Sequence, residues 1–149
     1  MKTLVLGMGN TILKDDGVGI EVAHRLKKRK PELDVVETSE AGLALLDFIV
    51  GYDKLIIVDS VRTEEGEPGE LYKIEMGAMK PTSHLTSLHG VDLATAFEVG
   101  RKLGFEMPQQ VSIYAVRVKD NTSFGEECTE EVAGKISLIT EQIIGEEKL

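Results

Sequence analysis

Two short apolar runs constrain this chain more than anything else in it. Thr3 to Leu6 and Leu55 to Val58 are strand-length and apolar almost throughout, without the polar alternation of a sheet that has one wet face. Such strands are covered on both sides, which points to parallel strands held between helices. Between the runs, Val18, Val22, Ala23 and Leu26 recur at helical spacing, with Asp15 or Asp16 placed to cap the helix. Lys27-Lys28-Arg29-Lys30 complements the negative end of that helix dipole as a solvated terminus, and Pro31 stops it. Asp34 to Thr38 is expected to form a second strand, and Leu43 to Val50 a short helix closed by Gly51. After the strand ending in Asp59, the link Glu64-Glu65-Gly66-Glu67-Pro68-Gly69 is too short for a crossover helix. Glu70 to Ile74 should therefore return antiparallel at the sheet edge. A loop from Gly77 to Leu88 leads to a helix with Leu93, Ala96, Phe97, Gly100 and Leu103 on one face, ended by Gly104. Val111 to Val118 is a fifth strand, and Thr129 caps a last helix built on Val132, Ile136, Ile139 and Ile143. The order predicts an α/β fold: a three-layer α/β/α sandwich around a five-stranded, mostly parallel twisted sheet with one antiparallel strand.

Composition narrows the function classes. A chain of 149 residues suits one domain over 1–149, long enough to bury a core without disulfides or a structural metal. Its 17 Lys and Arg against 26 Asp and Glu give a net charge of −9, which repels phosphate backbones and anionic headgroups. Neither nucleic acid nor a membrane surface is an expected partner. No stretch approaches the ~20 apolar residues of a membrane span, and Gly7-Met8-Gly9-Asn10 breaks the first apolar run at once, unlike a targeting segment. The single cysteine, Cys128, allows no internal disulfide, so the chain is expected to work in the cytoplasm. Nothing in the sequence demands an obligate dimer, and a monomer is expected.

In open α/β sheets, ligands bind in the crevice beyond the carboxyl ends of the strands. The residues that reach that crevice are Gly7 to Gly17 after the first strand, Asp59 after the third, and His89 before the third long helix. Two carboxylates and an imidazole from separate loops can share it, as metal ligands or as an acid/base group. Each has a plainer alternative. Asp15 and Asp16 can be a helix cap and its neighbour, worth about 1 kcal/mol. His89 can simply hydrogen-bond at a helix start. Asp59 is harder to explain away, because an acid ending an apolar strand is costly to bury without a partner. Gly7 and Gly9 resemble a dinucleotide-binding turn, but Ile12 stands where the third glycine belongs and the helix begins too late to face a pyrophosphate. His84 lies five residues before His89, which does not stack the two on a helical face. His24 is expected on an exposed helix surface, and Cys128 has no histidine near it in sequence to activate a thiol.

Taken together, LVLGMGNTILKDDGVGI, LIIVDS, SLHGVDL and FGEECTEEV, in that order and across essentially the whole chain, resemble the hydrogenase maturation proteases. These are endopeptidases that remove the C-terminal extension of the nickel hydrogenase large subunit. The resemblance implies that Asp16, Asp59 and His89 are metal ligands and catalytic residues at the cleavage site. Asp16 stands where some members carry Glu, one methylene longer. The resemblance further implies that the metal is nickel already inserted in the large-subunit precursor, bound transiently rather than kept as a resident cofactor. Ala41-Gly42-Leu43 matches the family's glycine turn, but Ser39 and Glu40 replace the acidic or threonine residues often beside it. Val118-Lys119-Asp120-Asn121 likewise departs from the Glu-Pro common after the fifth strand. The competing class is a non-catalytic nickel- or nucleotide-binding module of the same architecture.

Overall fold

A computed structural model describes residues 1–40, 42–63, 65–74 and 90–149. Its sheet contains β1 (Thr3–Met8), β2 (Asp34–Thr38), β3 (Lys54–Val61), β4 (Leu71–Ile74) and β5 (Gln110–Arg117). They lie in the order β2-β1-β3-β5-β4, with β4 antiparallel to β5 and every other pairing parallel. The helices are α1 (Val18–Arg29), α2 (Leu46–Ile49), α3 (Gly90–Lys102), α4 (Glu130–Ala133) and α5 (Ile136–Glu147), with 3-10 turns at Lys14–Gly17 and Gly42–Leu45. No helix among the described residues is long and apolar enough to cross a membrane.

The period of two along each strand sorts the core into two layers. Val5, Ile56, Val58, Tyr114 and Val116 face α1, α4 and α5, meeting Val22, Leu26, Val132, Ile139 and Ile143. Leu4, Leu6, Leu55, Ile57 and Ile113 face the other way, onto Leu45, Ile49, Leu93 and Phe97. Both faces are dry, as the unbroken apolar runs require. The expected three-layer α/β/α arrangement with one antiparallel edge strand is therefore what the chain adopts.

Three local expectations need correction. First, β3 does not end at Asp59 but runs on to Val61, because β5 continues to pair with it through Val61 and Arg117. Second, the terminal helix is interrupted: α4 stops at Ala133, and α5 starts afresh at Ile136. Thr129 occupies the N-cap position of α4 but makes no cap bond within the helix. Third, Leu103 is 63% exposed instead of joining the face of α3, because the chain turns away just there. Gly104 adopts φ +78°. The Phe105 amide donates to the Gly100 carbonyl at 2.9 Å and the Gly104 amide to Arg101 at 3.1 Å, the paired bonds of a Schellman ending. The loop expected from Gly77 to Leu88 lies outside the described residues.

A buried polar cluster ties the end of α5 to the sheet. The Glu147 carboxylate takes a 2.8 Å ion pair from Lys54 and hydrogen bonds from Ser112 at 3.1 Å and from the Tyr114 hydroxyl. Burial pushes the Glu147 carboxyl up, but the bonds from Lys54, Tyr114 and Ser112 and the charge of Lys54 together hold it below its ordinary value of 4.5. A depressed carboxylate stabilises the fold at pH above its unfolded value, and that contribution disappears as the pH falls through its folded value. Thermal melting should therefore fall more steeply as the pH drops below about 4.5 in the wild type than in Glu147→Gln, which has no charge to lose. Parallel melting curves for the two would remove Glu147 from the acid transition.

A second anchor holds the loops above the sheet. Asp15 is 0% exposed, and one of its oxygens accepts the amides of Lys119 and Asp120, each at 2.9 Å. The other accepts the Thr129 amide at 2.7 Å, and the Thr129 hydroxyl bonds both oxygens at 3.1 and 3.0 Å. Asp15 thus caps nothing in α1, whose N-cap position is Gly17 without a side-chain bond. Backbone bonds reinforce the junction: the Lys14 amide to the Gly125 carbonyl at 2.8 Å, Gly125 to Ile12 at 2.9 Å, and Asp15 to Asp120 at 2.9 Å. Removing a buried carboxylate here orphans three amides, at about 1–3 kcal/mol for each buried donor left unsatisfied. Asp15→Ala should lower unfolding free energy by about 3–5 kcal/mol in urea titrations, and a loss below ~1 kcal/mol would mean that water replaces the carboxylate.

Candidate functional site at the strand switch point

The strand order reverses between β1 and β3: the chain leaves β1 toward β2 on one side and later returns to pair β3 on the other. A crevice opens at such a point, beyond the carboxyl ends of the strands. β1 pairs with β3 only as far as Gly7 against Val58, so Asp59 and Ser60 stand above the last β1 partner. The N-terminus of α1 fills the space beneath. A Cβ on Gly19 would lie 2.3 Å from the Val58 carbonyl oxygen, and one on Gly9, at φ +152°, would lie 2.0 Å from the Asp16 carbonyl oxygen. The glycines of the opening motif are thus accounted for by backbone packing, with no phosphate cradle needed to explain them.

Asp16 sits in the Lys14–Gly17 turn. A 3-10 turn has about three residues per turn, so successive side chains diverge by roughly 120°. Asp15 therefore points to the 119–129 loop while Asp16 points to β3. The turn is entered through Lys14 at φ +43°, a left-handed conformation that costs a non-glycine residue about 1–2 kcal/mol and is held here by the bond to Gly125. Asp16 is 5% exposed. Its Oδ2 accepts the Asn10 amide at 2.9 Å and its Oδ1 accepts the Ser60 hydroxyl at 3.0 Å, so it too is no cap for α1.

Asp59 and Ser60 are both buried, and as strand neighbours they face opposite sides of the sheet. The Ser60 hydroxyl reaches toward the α1 side and meets Asp16, while its own amide donates to Asp59 Oδ1 at 2.8 Å. One residue thereby touches both carboxylates. Sequence reasoning missed Ser60 and the Asn10 amide; the available signal was a hydroxyl directly after an acid at the end of an apolar strand. An open cleft of about 210 Å³ between the ends of β1 and β2 is lined by Asn10, whose amide bonds Asp16, and by Gly9, Thr11, Ile20, Glu37, Thr38 and Ser39.

The remaining sequence candidates fall elsewhere. His89 and His84 lie outside the described residues; α3 begins at Gly90. Among the described residues no third His, Cys, Asp or Glu joins Asp16 and Asp59 in a metal-binding group. His24 is on the exposed face of α1, as expected, with its ring 2.5 Å from Glu37. Cys128 is half-buried, and burial, followed by the charges of Asp15 and Glu21, pushes its thiol up to about 12. Such a thiol stays protonated at neutral pH and is a poor nucleophile. The Val118–Asn121 loop is shaped by its own acid: Asp120 accepts the amides of Ser123 at 3.0 Å and Thr122 at 3.1 Å, bonds that draw its carboxyl down to about 2.

Comparison with known proteins places this geometry. The family model for hydrogenase maturation protease (HycI) matches residues 20–146, a span that starts just past Asp16 and takes in Asp59 and His89. The chain is 30% identical over 122 residues to the hydrogenase 2 maturation protease of Escherichia coli K12, covering 78% of this chain and 73% of that protein. It is 29% identical over 152 residues to a putative hydrogenase maturation protease of Methanocaldococcus jannaschii, covering 97% and 96%. The solved structure of the hydrogenase maturating endopeptidase HybD from E. coli superposes with a TM-score of 0.76 at 24% identity, covering 99% of this chain and 93% of that one, which establishes a shared fold. A family-model match over most of the chain, together with a 30% identical relative covered over 73% of its length, means that this chain belongs to the hydrogenase maturation protease family and is a peptidase.

Proposed function

We propose that the chain is the endopeptidase that removes the C-terminal extension of a nickel-loaded nickel-iron hydrogenase large-subunit precursor, acting in the cytoplasm as a monomer. The observation that carries this is the pairing of Asp16 and Asp59 through Ser60 at the crevice. Those two carboxylates come from a 3-10 turn and a strand, are withdrawn from bulk water, and each accept one hydrogen bond from Ser60. His89 enters by its position in SLHGVDL, the segment that carries the family's histidine.

Two carboxylate oxygens and an imidazole nitrogen suit a borderline divalent ion, and three ligands leave positions open for groups on the precursor. The ion is the precursor's own nickel, so binding it reports that the metal has been inserted before the tail is cut. When bound, it supplies Lewis-acid polarisation at the scissile peptide. The protein contributes placement and a base: one carboxylate accepts a proton from the attacking water, and Asp16 and Asp59 titrate as a pair. No serine or cysteine nucleophile takes part. Ser60 holds both carboxylates in register by giving each one hydrogen bond. The cleft lined by Asn10, Thr11 and Thr38 accepts the extended tail beside them.

Mixing the purified protein with matched precursor, nickel-loaded or nickel-free, tests this directly. Only the loaded precursor should shorten on a gel; equal cleavage of both overturns the nickel dependence. Asp16→Asn, Asp59→Asn and His89→Ala should each slow cleavage about 10²- to 10⁴-fold, and full activity of any one removes that residue from the site. Ser60→Ala should lower kcat/KM by about 10- to 100-fold, with Ser60→Thr restoring most of the loss because it keeps the hydroxyl. If Ser60→Thr were as poor as Ser60→Ala, the bridging bond would not be what matters.

A further inference from the structure

Beside the crevice, two large apolar side chains stand in water. Ile12 is 49% exposed and Phe124 is 82% exposed, yet neither lies on a frayed segment. Leu13 pairs with Gly125 in a parallel bridge, and the Gly125 amide donates to the Ile12 carbonyl at 2.9 Å. Residues at matching positions of a parallel pair share a face, so Ile12 and Phe124, each one step before the bridge, lie side by side. The bonds to Asp15 brace both segments from behind. Single exposed apolar residues are ordinary on protein surfaces, whereas two set together on a braced rim mark a contact surface.

Its position says what covers it. The Ile12 amide donates to the Asn10 side chain at 3.1 Å, and the Asn10 amide donates to Asp16 at 2.9 Å. The apolar pair is therefore continuous with the crevice and two hydrogen bonds from the Asp16 carboxylate. A protein whose tail lies against Asp16 has Ile12 and Phe124 within reach of its body. We propose that Ile12 and Phe124 form the apolar contact that docks the folded body of the large-subunit precursor while its tail occupies the crevice. This rests on the precursor-processing reading above. Buried aromatic anchors dominate the energetics of interfaces of this kind, and most of that effect appears in dissociation. The surface lets the enzyme select a folded partner instead of any peptide with a suitable sequence.

The test measures binding and cleavage separately, using the purified full chain and its matched nickel-loaded precursor. Phe124→Asp and Ile12→Ser should each raise Kd and KM by about 10-fold or more, with melting temperature unaltered and with Phe124→Leu recovering most of the affinity. Phe124→Ala serves if aspartate disturbs the neighbouring Asp120 turn. Equal Kd for wild type and both variants overturns the docking surface, whether or not the precursor is cut. Phe124-dependent binding with no cleavage by the wild type upholds the surface and overturns the protease reading, and no binding by any form overturns both. Concentration-dependent self-association that Phe124→Asp abolishes, with precursor affinity unaffected, assigns the surface to a second copy of this chain and overturns the proposal.

Discussion

Everything above the sheet hangs on one buried carboxylate. Asp15 accepts amides from Lys119, Asp120 and Thr129 and so joins the loop after β1 to the loop after β5. The strands that launch those loops are separated by β3, and the carboxylate holds them together with three backbone bonds beside it. A buried charge is costly unless fully hydrogen-bonded, and Asp15 meets that condition with backbone donors alone plus one hydroxyl. The neighbouring acid, Asp16, is thereby held at a fixed depth without serving as the anchor itself. Structural and chemical duties are divided between adjacent residues by the geometry of a single 3-10 turn.

The fold supplies the rest of the site through topology. The switch between β1 and β3 opens the crevice, and the overhang of β3 beyond its last β1 partner puts Asp59 and Ser60 at its wall. Strand alternation sends those two side chains to opposite faces, so the Asp59 carboxylate and the Ser60 hydroxyl that bonds Asp16 belong to opposite layers. Close packing at Gly19 brings the start of α1 down onto the strand ends.

The layers, the mostly parallel sheet and its antiparallel edge were readable in the chain because long-range burial writes itself into hydrophobic period. Leu55 to Val58 could only be a strand covered twice, and Glu70 to Ile74 could only return without a crossover. Asp59 was also readable, as an acid placed where an apolar run gives out, whereas only the family resemblance separates Asp16 from its neighbour Asp15. What escaped depended on contacts distant in sequence. Asp15 looks like a cap because its neighbours are a helix start, whereas its partners lie more than a hundred residues away. Ser60 carries no local sign that its hydroxyl faces Asp16. Thr129 has the right identity for a cap, but its hydroxyl serves a tertiary bond, and no local rule ranks the two. Asp59 was placed at the strand's end because the apolar run stops there, while the ladder with β5 carries the strand two residues farther.

The same network sets how the loops move. Loops beside a reactive crevice ordinarily open on fast timescales, with their amides exchanging freely with water. Here the amides of Asn10, Lys119, Asp120 and Thr129 all end on the carboxylates of Asp15 and Asp16, both shielded from solvent. Bonds of this kind protect an amide until the structure around it opens, so these loop positions are tied to the junction and not to the loop tips. The stretch of rim built from Asn10 and the 119–129 loop is thus braced from within, and an arriving chain meets that stretch already tied to the sheet.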